Sequence, residues 1–162
     1  MAAGVKSVYI ETTIPSYLTA RPSRDLIRAG QQQVTREWWE KRRSEYDLRV
    51  SQPVIEEAAQ GDPEAAERRL ACVEGVPLLE MNDAAVELAD ALIREGALPD
   101  EAEIDALHIA LATVHDVDIL LTWNCRHLAN PHLLGGVMRV IWSKGYRPPV
   151  ICTPGEMTGE WT

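Results

Sequence analysis

The sequence predicts an α/β fold of three layers (α/β/α), in which helices cover both faces of a central parallel sheet. Apolar segments of strand length alternate along the chain with segments of helical spacing, which is typical of such domains. The 162 residues, of which 46% are hydrophobic and 25% charged, suit one globular domain. We expect that domain to span residues 1–152 and residues 153–162 to form a loose tail.

The predicted strands are short apolar runs. Val8-Tyr9-Ile10 and Ile119-Leu120-Leu121 are the clearest, because strands buried on both faces of a parallel sheet are apolar throughout. Turn and cap residues separate the others from the neighbouring helices. The complete set of predicted strands is residues 5–10, 48–51, 76–79, 118–122 and, as an edge strand, 150–152.

A long helix is predicted after the first strand from its apolar spacing. Ile27, Val34 and Trp38 lie on one helical face, and we expect the helix to run from residue 23 or 24 to about residue 46. Trp39 adjoins Trp38, and adjacent helical positions cannot both face one core. One of the two indoles is therefore a candidate for contact with a partner protein, unless both fit the edge of an amphipathic helix.

Cap and turn residues delimit the other predicted helices. Asn82 or Asp83 begins a helix that Gly96 ends, and Asp100 with Glu103 has the spacing of a capping box for the next one. The remaining predictions are helices at residues 14–18, from near 53, at 64–74, up to about 115 and at 133–145, the last interrupted by two glycines.

The composition argues against several classes of protein. A net charge of −9 is not that of a protein that coats duplex DNA, although bound cations allow an acidic protein to be a nuclease. The three cysteines have no metal-ligand spacing, and their odd number does not indicate a disulfide framework. No apolar run approaches the roughly 20 residues of a membrane helix, and the start lacks a signal-peptide segment. We therefore expect no membrane partner and a cytoplasmic location.

Polar residues follow two of the predicted strands, and one acid begins an apolar helix. Glu11 follows the first strand, Thr122 and Asn124 follow the fourth, and Asp105 precedes the apolar segment 106–114. In an open parallel sheet, ligands bind outside the carboxyl ends of the strands. We therefore expect these side chains to converge at that edge.

Each of these residues also has an ordinary structural explanation. Glu11 would also be ordinary in a surface loop or as a helix cap. Asp105 would stabilise a helix dipole from the first turn, and Asn124 would be a turn residue that caps the next short helix. Glu56 and Glu57, on the helix after the second strand, fit an exposed acidic pair unless one of them points back over the sheet edge.

Taken together, these hard oxygen ligands suit Mg²⁺ or Mn²⁺. Such ions activate water and stabilise the leaving oxyanion in phosphodiester cleavage. The histidines show no metal-ligand spacing with an acid, and we expect His108 to be a core or helix-face residue. The sequence has no glycine-rich phosphate loop, which argues against a nucleoside triphosphatase.

At four places, taken in order, the chain resembles the motifs of PIN domains. The segments are Tyr9-Ile10-Glu11-Thr12-Thr13, Ser51-x-x-Val54-x-x-Glu57, Asp105-Ala106-Leu107-His108-Ile109-Ala110 and Leu120-Leu121-Thr122-Trp123-Asn124. The resemblance covers about residues 5–150 and implies a PIN-like α/β/α domain with Mg²⁺- or Mn²⁺-dependent cleavage of RNA. Many bacterial and archaeal PIN proteins are VapC-type toxins of type II toxin–antitoxin pairs, often dimeric and inhibited by an antitoxin, and this chain is similar to them in size.

Carried over residue by residue, the resemblance implies three groups of functional residues. The catalytic and metal-binding group is Glu11, Glu57, Asp105 and Asn124, with Glu56 as the alternative to Glu57. The supporting hydroxyls are those of Thr12, with Thr13 as its alternative, and Thr122. The basic side chains for the RNA backbone are Arg21, Arg24 and Arg126.

Two of these positions depart from the PIN pattern. Glu11 stands where aspartate is usual and is one methylene longer, whereas Asn124 stands where a fourth acid is usual, so metal affinity should fall. Three functions stay open: a metal-dependent endoribonuclease, a catalytically weakened module that binds RNA or protein, and another α/β hydrolase or phosphatase.

Overall fold

Five short strands form one parallel sheet in the computed structural model, which describes residues 4–157. The strands are β1 (Ser7–Ile10), β2 (Asp47–Ser51), β3 (Leu78–Leu79), β4 (Ile119–Leu121) and β5 (Val150–Cys152). Their order across the sheet is β3-β2-β1-β4-β5, and every neighbouring pair is parallel. The predicted three-layer α/β fold with a central parallel sheet is therefore confirmed.

Helices occupy the connections between the strands, and one more follows the last strand. Within the described residues they are α1 (Thr13–Thr19), α2 (Leu26–Lys41), α3 (Gln52–Ala58), α4 (Pro63–Val73), α5 (Asp83–Arg94), α6 (Glu103–Val114), α7 (Pro131–Ser143) and α8 (Pro154–Met157). Side-chain oxygens cap the starts of five of them by accepting backbone N–H bonds. The capping residues are Asp25, Ser51, Asp62, Asn82 and Asn130. None of the helices in this part of the chain has the length and apolar character needed to cross a membrane.

β1 lies at the centre of the sheet, and the side chains of residues 8–10 are fully buried. Ile10 pairs with Leu121 of β4, so the residues that follow them, Glu11 and Thr122, emerge side by side. The chain passes from β1 to β2 on one side, while β4 lies on the other side. This reversal of strand order is a topological switch point, which is where open α/β sheets bind ligands.

α2 is shorter than predicted at both ends. It begins after Asp25, because the Asp25 carboxylate accepts the Arg28 N–H at 2.8 Å, and it ends at Lys41, before a 3₁₀ turn (Arg43–Glu45). Ile27 shares a helical face with Val34 and Trp38, as predicted, but it is not part of the core. It belongs to the first turn of α2 and is 74% exposed.

The two neighbouring indoles of α2 both pack against the core. Trp38 is fully buried, whereas Trp39 is half-buried and lies beneath the Arg43 guanidinium, 4.6 Å from the ring centroid. This arrangement fits the edge of an amphipathic helix, and a role for Trp39 at an interface stays a prediction.

Three further predictions about helices are wrong. Asp100 and Glu103 form no capping box, because Asp100–Ala102 makes a 3₁₀ turn and the cap position is an alanine with no side-chain acceptor. α7 begins two residues earlier than predicted, at Pro131, because Asn130 caps it, and its glycines do not interrupt it. Residues 154–157 of the predicted loose tail form α8, while residues 1–3 and 158–162 lie outside the described residues.

A pair of side chains ties β1 to β4 at the end of the sheet opposite Glu11. The Asp118 carboxylate accepts the Ser7 N–H at 2.9 Å and the Ser7 hydroxyl at 3.2 Å. The bond from the Ser7 N–H lowers the pKa of Asp118; burial opposes this, and Arg147 adds to the lowering. The charged carboxylate therefore stabilises the fold above its ordinary pKa of 3.8, and this contribution is lost as the pH falls through the lower folded value.

We expect Asp118→Ala to lower the free energy of unfolding at neutral pH by about 1–3 kcal/mol, because charge-assisted hydrogen bonds are lost. Urea unfolding at neutral pH and near pH 3 measures this loss, which should shrink at the lower pH. As a control, Asp116→Asn removes an exposed partner of Arg147 and should change stability little. Equal losses in the two variants would contradict the role of the Ser7 contact.

Candidate metal centre

Glu11 is the buried acid at the carboxyl edge of the sheet. It directly follows β1, and only 3% of its surface is exposed. Its Oε1 accepts hydroxyl bonds from Thr13 and Thr122, each 2.6 Å long. Burial raises the pKa of Glu11, although the positive charge of His108 and the two hydroxyls oppose the rise. A cation beside Glu11 would stabilise its charged form at this depth.

Glu57 approaches the same place from α3. Ser51 ends β2 and caps α3, so the helix starts directly at the sheet edge. Oε1 of Glu57 accepts bonds from Thr12 Oγ1 at 2.7 Å and from His108 Nε2 at 2.6 Å. Burial would raise the pKa of Glu57, but the bond and charge of His108, with the Thr12 hydroxyl, lower it. Glu56, the predicted alternative, is exposed and lies outside these contacts.

His108 takes part in more contacts than an ordinary core or helix-face histidine. It is fully buried on α6, and Nε2 donates to Glu57 while Nδ1 lies 2.6 Å from the Tyr9 hydroxyl. That hydroxyl lies 2.5 Å from Ser51 Oγ. Burial lowers the pKa of His108, but the bond to Glu57 and the charges of three nearby carboxylates outweigh burial and raise the pKa. The acids around the ring thus favour its protonated form more than burial disfavours it.

The contact between His108 and Glu57 could not be read from spacing, because the two residues are 51 positions apart. One local signal was present. His108 lies three residues after Asp105 in a helix that is otherwise nearly apolar, and this spacing places both side chains on one helical face.

The candidate ligand atoms of Glu11, Glu57 and His108 all lie within 4.8 Å of one another. Carboxylate oxygens are preferred by Mg²⁺ and Mn²⁺, whereas imidazole is more typical of other transition metals. Both nitrogens of His108 are engaged in hydrogen bonds. The two carboxylates are therefore the donors that fit a divalent cation, and His108 compensates part of their charge.

Asp105 lies beside this cluster and not within it. Its Oδ2 is 2.9 Å from Nδ1 of His127, and its Oδ1 accepts the Asn124 Nδ2–H at 3.1 Å. Asn124 Oδ1 accepts the backbone N–H groups two and three residues later, as expected of a turn residue. The Asn124 N–H donates to the Thr122 hydroxyl, which itself donates to Glu11. The two groups of side chains are thus joined through Thr122.

The remaining predicted residues divide into two sets. Both supporting hydroxyls contact an acid, Thr12 at Glu57 and Thr122 at Glu11. The three arginines predicted to hold RNA are exposed at the surface, and only the backbone N–H of Arg126, which donates to Asn124, takes part in these contacts. They are Arg21, Arg24 and Arg126.

No family model matches the chain, and no curated protein matches its sequence. The resemblance to PIN domains therefore stays a prediction. The fold and the contacts of the candidate metal centre are the physical basis for a functional proposal.

We expect His108→Leu to lower the free energy of unfolding by about 2–4 kcal/mol, because it leaves the Glu57 carboxylate and the Tyr9 hydroxyl without their shared partner. Thr113→Val on the same helix is the matched control. It removes one buried bond, to the Ile109 carbonyl, and should cost about 1 kcal/mol or less. Chemical unfolding in EDTA measures both. If His108→Leu were as stable as Thr113→Val, the buried network would contribute little to stability.

Proposed function

We propose that this chain is a metal-dependent endoribonuclease with a PIN-like fold, which cleaves RNA phosphodiester bonds. The observation that carries the proposal is the meeting of Glu11, Glu57 and His108 within 4.8 Å. Their position at the carboxyl edge of a parallel sheet supports it, because ligands bind there in such folds. Glu11 and Glu57 would hold Mg²⁺ or Mn²⁺, with Asp105 beside them.

The chemistry that such an ion supplies is activation of water and stabilisation of the leaving oxyanion. The chain's own contribution is to orient the acids. Three threonine hydroxyls and the His108 imidazole hold the Glu11 and Glu57 carboxylates in place. Oδ2 of Asp105 lies 2.9 Å from Nδ1 of His127, and this contact orients the partly buried ring beside the acids.

The wider role that we propose follows from the resemblance to PIN-domain toxins. RNA is the proposed substrate, and the chain would act as the toxin of a toxin–antitoxin pair. A cognate antitoxin protein, a homodimer and a cytoplasmic location belong to the same proposal. Light scattering of the purified chain tests the dimer directly.

One observation favours a second function, a catalytically weakened module that binds RNA or protein. The Asn124 side-chain oxygen is engaged with backbone N–H groups, and Asp105 is bonded to His127 and lies outside the clustered ligands. A pair of carboxylates would hold a divalent ion more weakly than the four acids usual in PIN domains.

We expect the purified chain to cleave RNA with Mg²⁺ or Mn²⁺ and to lose this activity in EDTA. Glu57→Gln and Asp105→Asn should each lower the cleavage rate by about 100-fold or more, because each removes negative charge from the surroundings of the ion. Glu56→Gln makes the same change at the exposed neighbouring position and should keep the rate within about twofold. A gel assay of labelled RNA measures the rates.

Three other results, from that assay and from parallel assays of RNA binding and of phosphomonoester hydrolysis, would change the functional conclusion. Cleavage at the wild-type rate in Glu57→Gln and Asp105→Asn would come from a contaminant and would reject the nuclease. RNA binding without cleavage, by a folded chain free of antitoxin, would support the binding module. Hydrolysis of a small phosphomonoester without cleavage of RNA would indicate a phosphatase that uses the same sheet edge.

We expect Asn124→Asp to tighten Mn²⁺ binding by about 10-fold, because it returns a negative charge next to Asp105. In EDTA the same substitution should lower Tm, since a carboxylate replaces the amide that now donates to Asp105. Isothermal titration calorimetry and thermal unfolding measure the two effects. An unchanged affinity for Mn²⁺ would show that position 124 makes no contribution to metal binding.

A further inference from the structure

Three side chains form a stack beside the candidate metal centre, here named the aromatic column: Trp123, Tyr17 and Arg28. The rings of Trp123 and Tyr17 are nearly parallel, at 12°, with centroids 5.7 Å apart. The Arg28 guanidinium lies 5.8 Å from the centroid of the Tyr17 ring. Both rings are partly exposed and Arg28 is exposed, so a ligand can reach the column from solvent.

The column is attached to the metal centre through Thr13. The backbone N–H of Trp123 donates to the Thr13 hydroxyl at 2.8 Å, and that hydroxyl donates to the Glu11 carboxylate at 2.6 Å. The Trp123 Nε1–H donates to Thr35 Oγ1 at 2.7 Å, which fixes the orientation of the indole. Tyr17 stands one turn after Thr13 on α1. The indole orientation is thus fixed, and the backbone of Trp123 is linked to Glu11 through the Thr13 hydroxyl.

Arg28 is held loosely at the end of the column. Its distance of 5.8 Å from the ring centroid is close to the limit of about 6 Å for a cation–π contact. Within residues 4–157 its guanidinium has no salt-bridge partner. A guanidinium held this weakly can leave the ring when a better stacking partner arrives.

Aromatic rings beside free guanidinium groups are a surface suited to unpaired nucleobases. A base stacks on the ring, and a guanidinium pairs with the phosphate. Arg21 and Arg24 are exposed in the connection between α1 and α2, where they add positive charge close to Arg28 in the sequence. The column matches single-stranded RNA better than a duplex, because the bases of a duplex are already stacked on one another.

We propose that the aromatic column is the subsite for one unpaired base of the RNA substrate. The base would stack on Tyr17 in the place of the Arg28 guanidinium, which would move to a neighbouring phosphate. The inference rests on the proposed function for its substrate class. It adds that a base near the cleaved bond is held by stacking on the aromatic column.

The test measures the binding of two fluorescent probes to the full chain in EDTA, so that cleavage plays no part. One probe is a short single-stranded RNA of mixed sequence, and the other is the same sugar-phosphate backbone without bases. We expect Tyr17→Leu to weaken RNA binding by about 5- to 100-fold and to keep the affinity for the abasic probe within about twofold. Tyr17→Phe retains the ring and should bind RNA as the wild type does.

If Tyr17→Leu folds poorly, the matched variants Arg28→Ala and Arg43→Ala test the subsite in its place. Each removes an exposed arginine that lies over an aromatic ring, but Arg43 lies over Trp39, outside the column. We expect Arg28→Ala to weaken RNA binding and to lower its salt dependence by about one phosphate contact. Arg43→Ala should bind RNA as the wild type does.

Three results would overturn the inference. The first is an equal loss of affinity for both probes in Tyr17→Leu. The second is no loss of RNA affinity in either Tyr17→Leu or Arg28→Ala. The third is wild-type binding that is no tighter for RNA than for the abasic probe. RNA binding that depends on Tyr17, in a chain that does not cleave RNA, would support the subsite and reject the nuclease, so the two proposals fail separately.

Discussion

The burial of one negative charge, that of Glu11 at the end of the central strand, determines much of what surrounds it. A carboxylate at this depth needs hydrogen-bond donors and a counter-charge. Two threonine hydroxyls donate to it, and His108 provides positive charge. His108 is itself costly to bury as a cation, and the Glu57 carboxylate and the Tyr9 hydroxyl compensate it. Each buried polar group thus requires the next, and the network joins β1, α3, α6 and the segment after β4.

This dependence gives the site an inner and an outer part. The inner part is the cluster of two glutamates with His108, and the outer part is the pair of Asp105 and His127. The Thr122 hydroxyl connects them, because it donates to the inner acid and accepts a backbone N–H from the outer turn. The two parts also interact electrostatically, because the charge of Asp105 in the outer part helps to raise the pKa of His108 in the inner part. The geometry of the acids is therefore set by side chains that do not need to touch a substrate.

Much of the architecture is readable from the sequence, because strands and the residues that follow them are local features. An apolar run such as residues 8–10 is buried in a parallel sheet, and the acid after it must reach the sheet edge. Helix starts are less predictable, since Asp100 and Glu103 have the spacing of a capping box, yet Asp100 lies in a 3₁₀ turn and Glu103 begins α6 with an alanine at its cap. His108 lies beyond a local reading because its partner, Glu57, belongs to another helix 51 residues earlier.

The pairing of the first strand with the fourth also affects the order in which the chain acquires its structure. Val8 of β1 is in register with Ile119 of β4, and contacts across 111 positions hold both ends of this pair. Pairings between such distant segments slow folding. On the ribosome, β1 emerges long before β4 has been made, so the edge of β1 that pairs with β4 stays unpaired until then. Glu11 meets the Thr122 hydroxyl only after most of the chain has been synthesised, and a prematurely terminated chain would carry the acid without the environment that positions it.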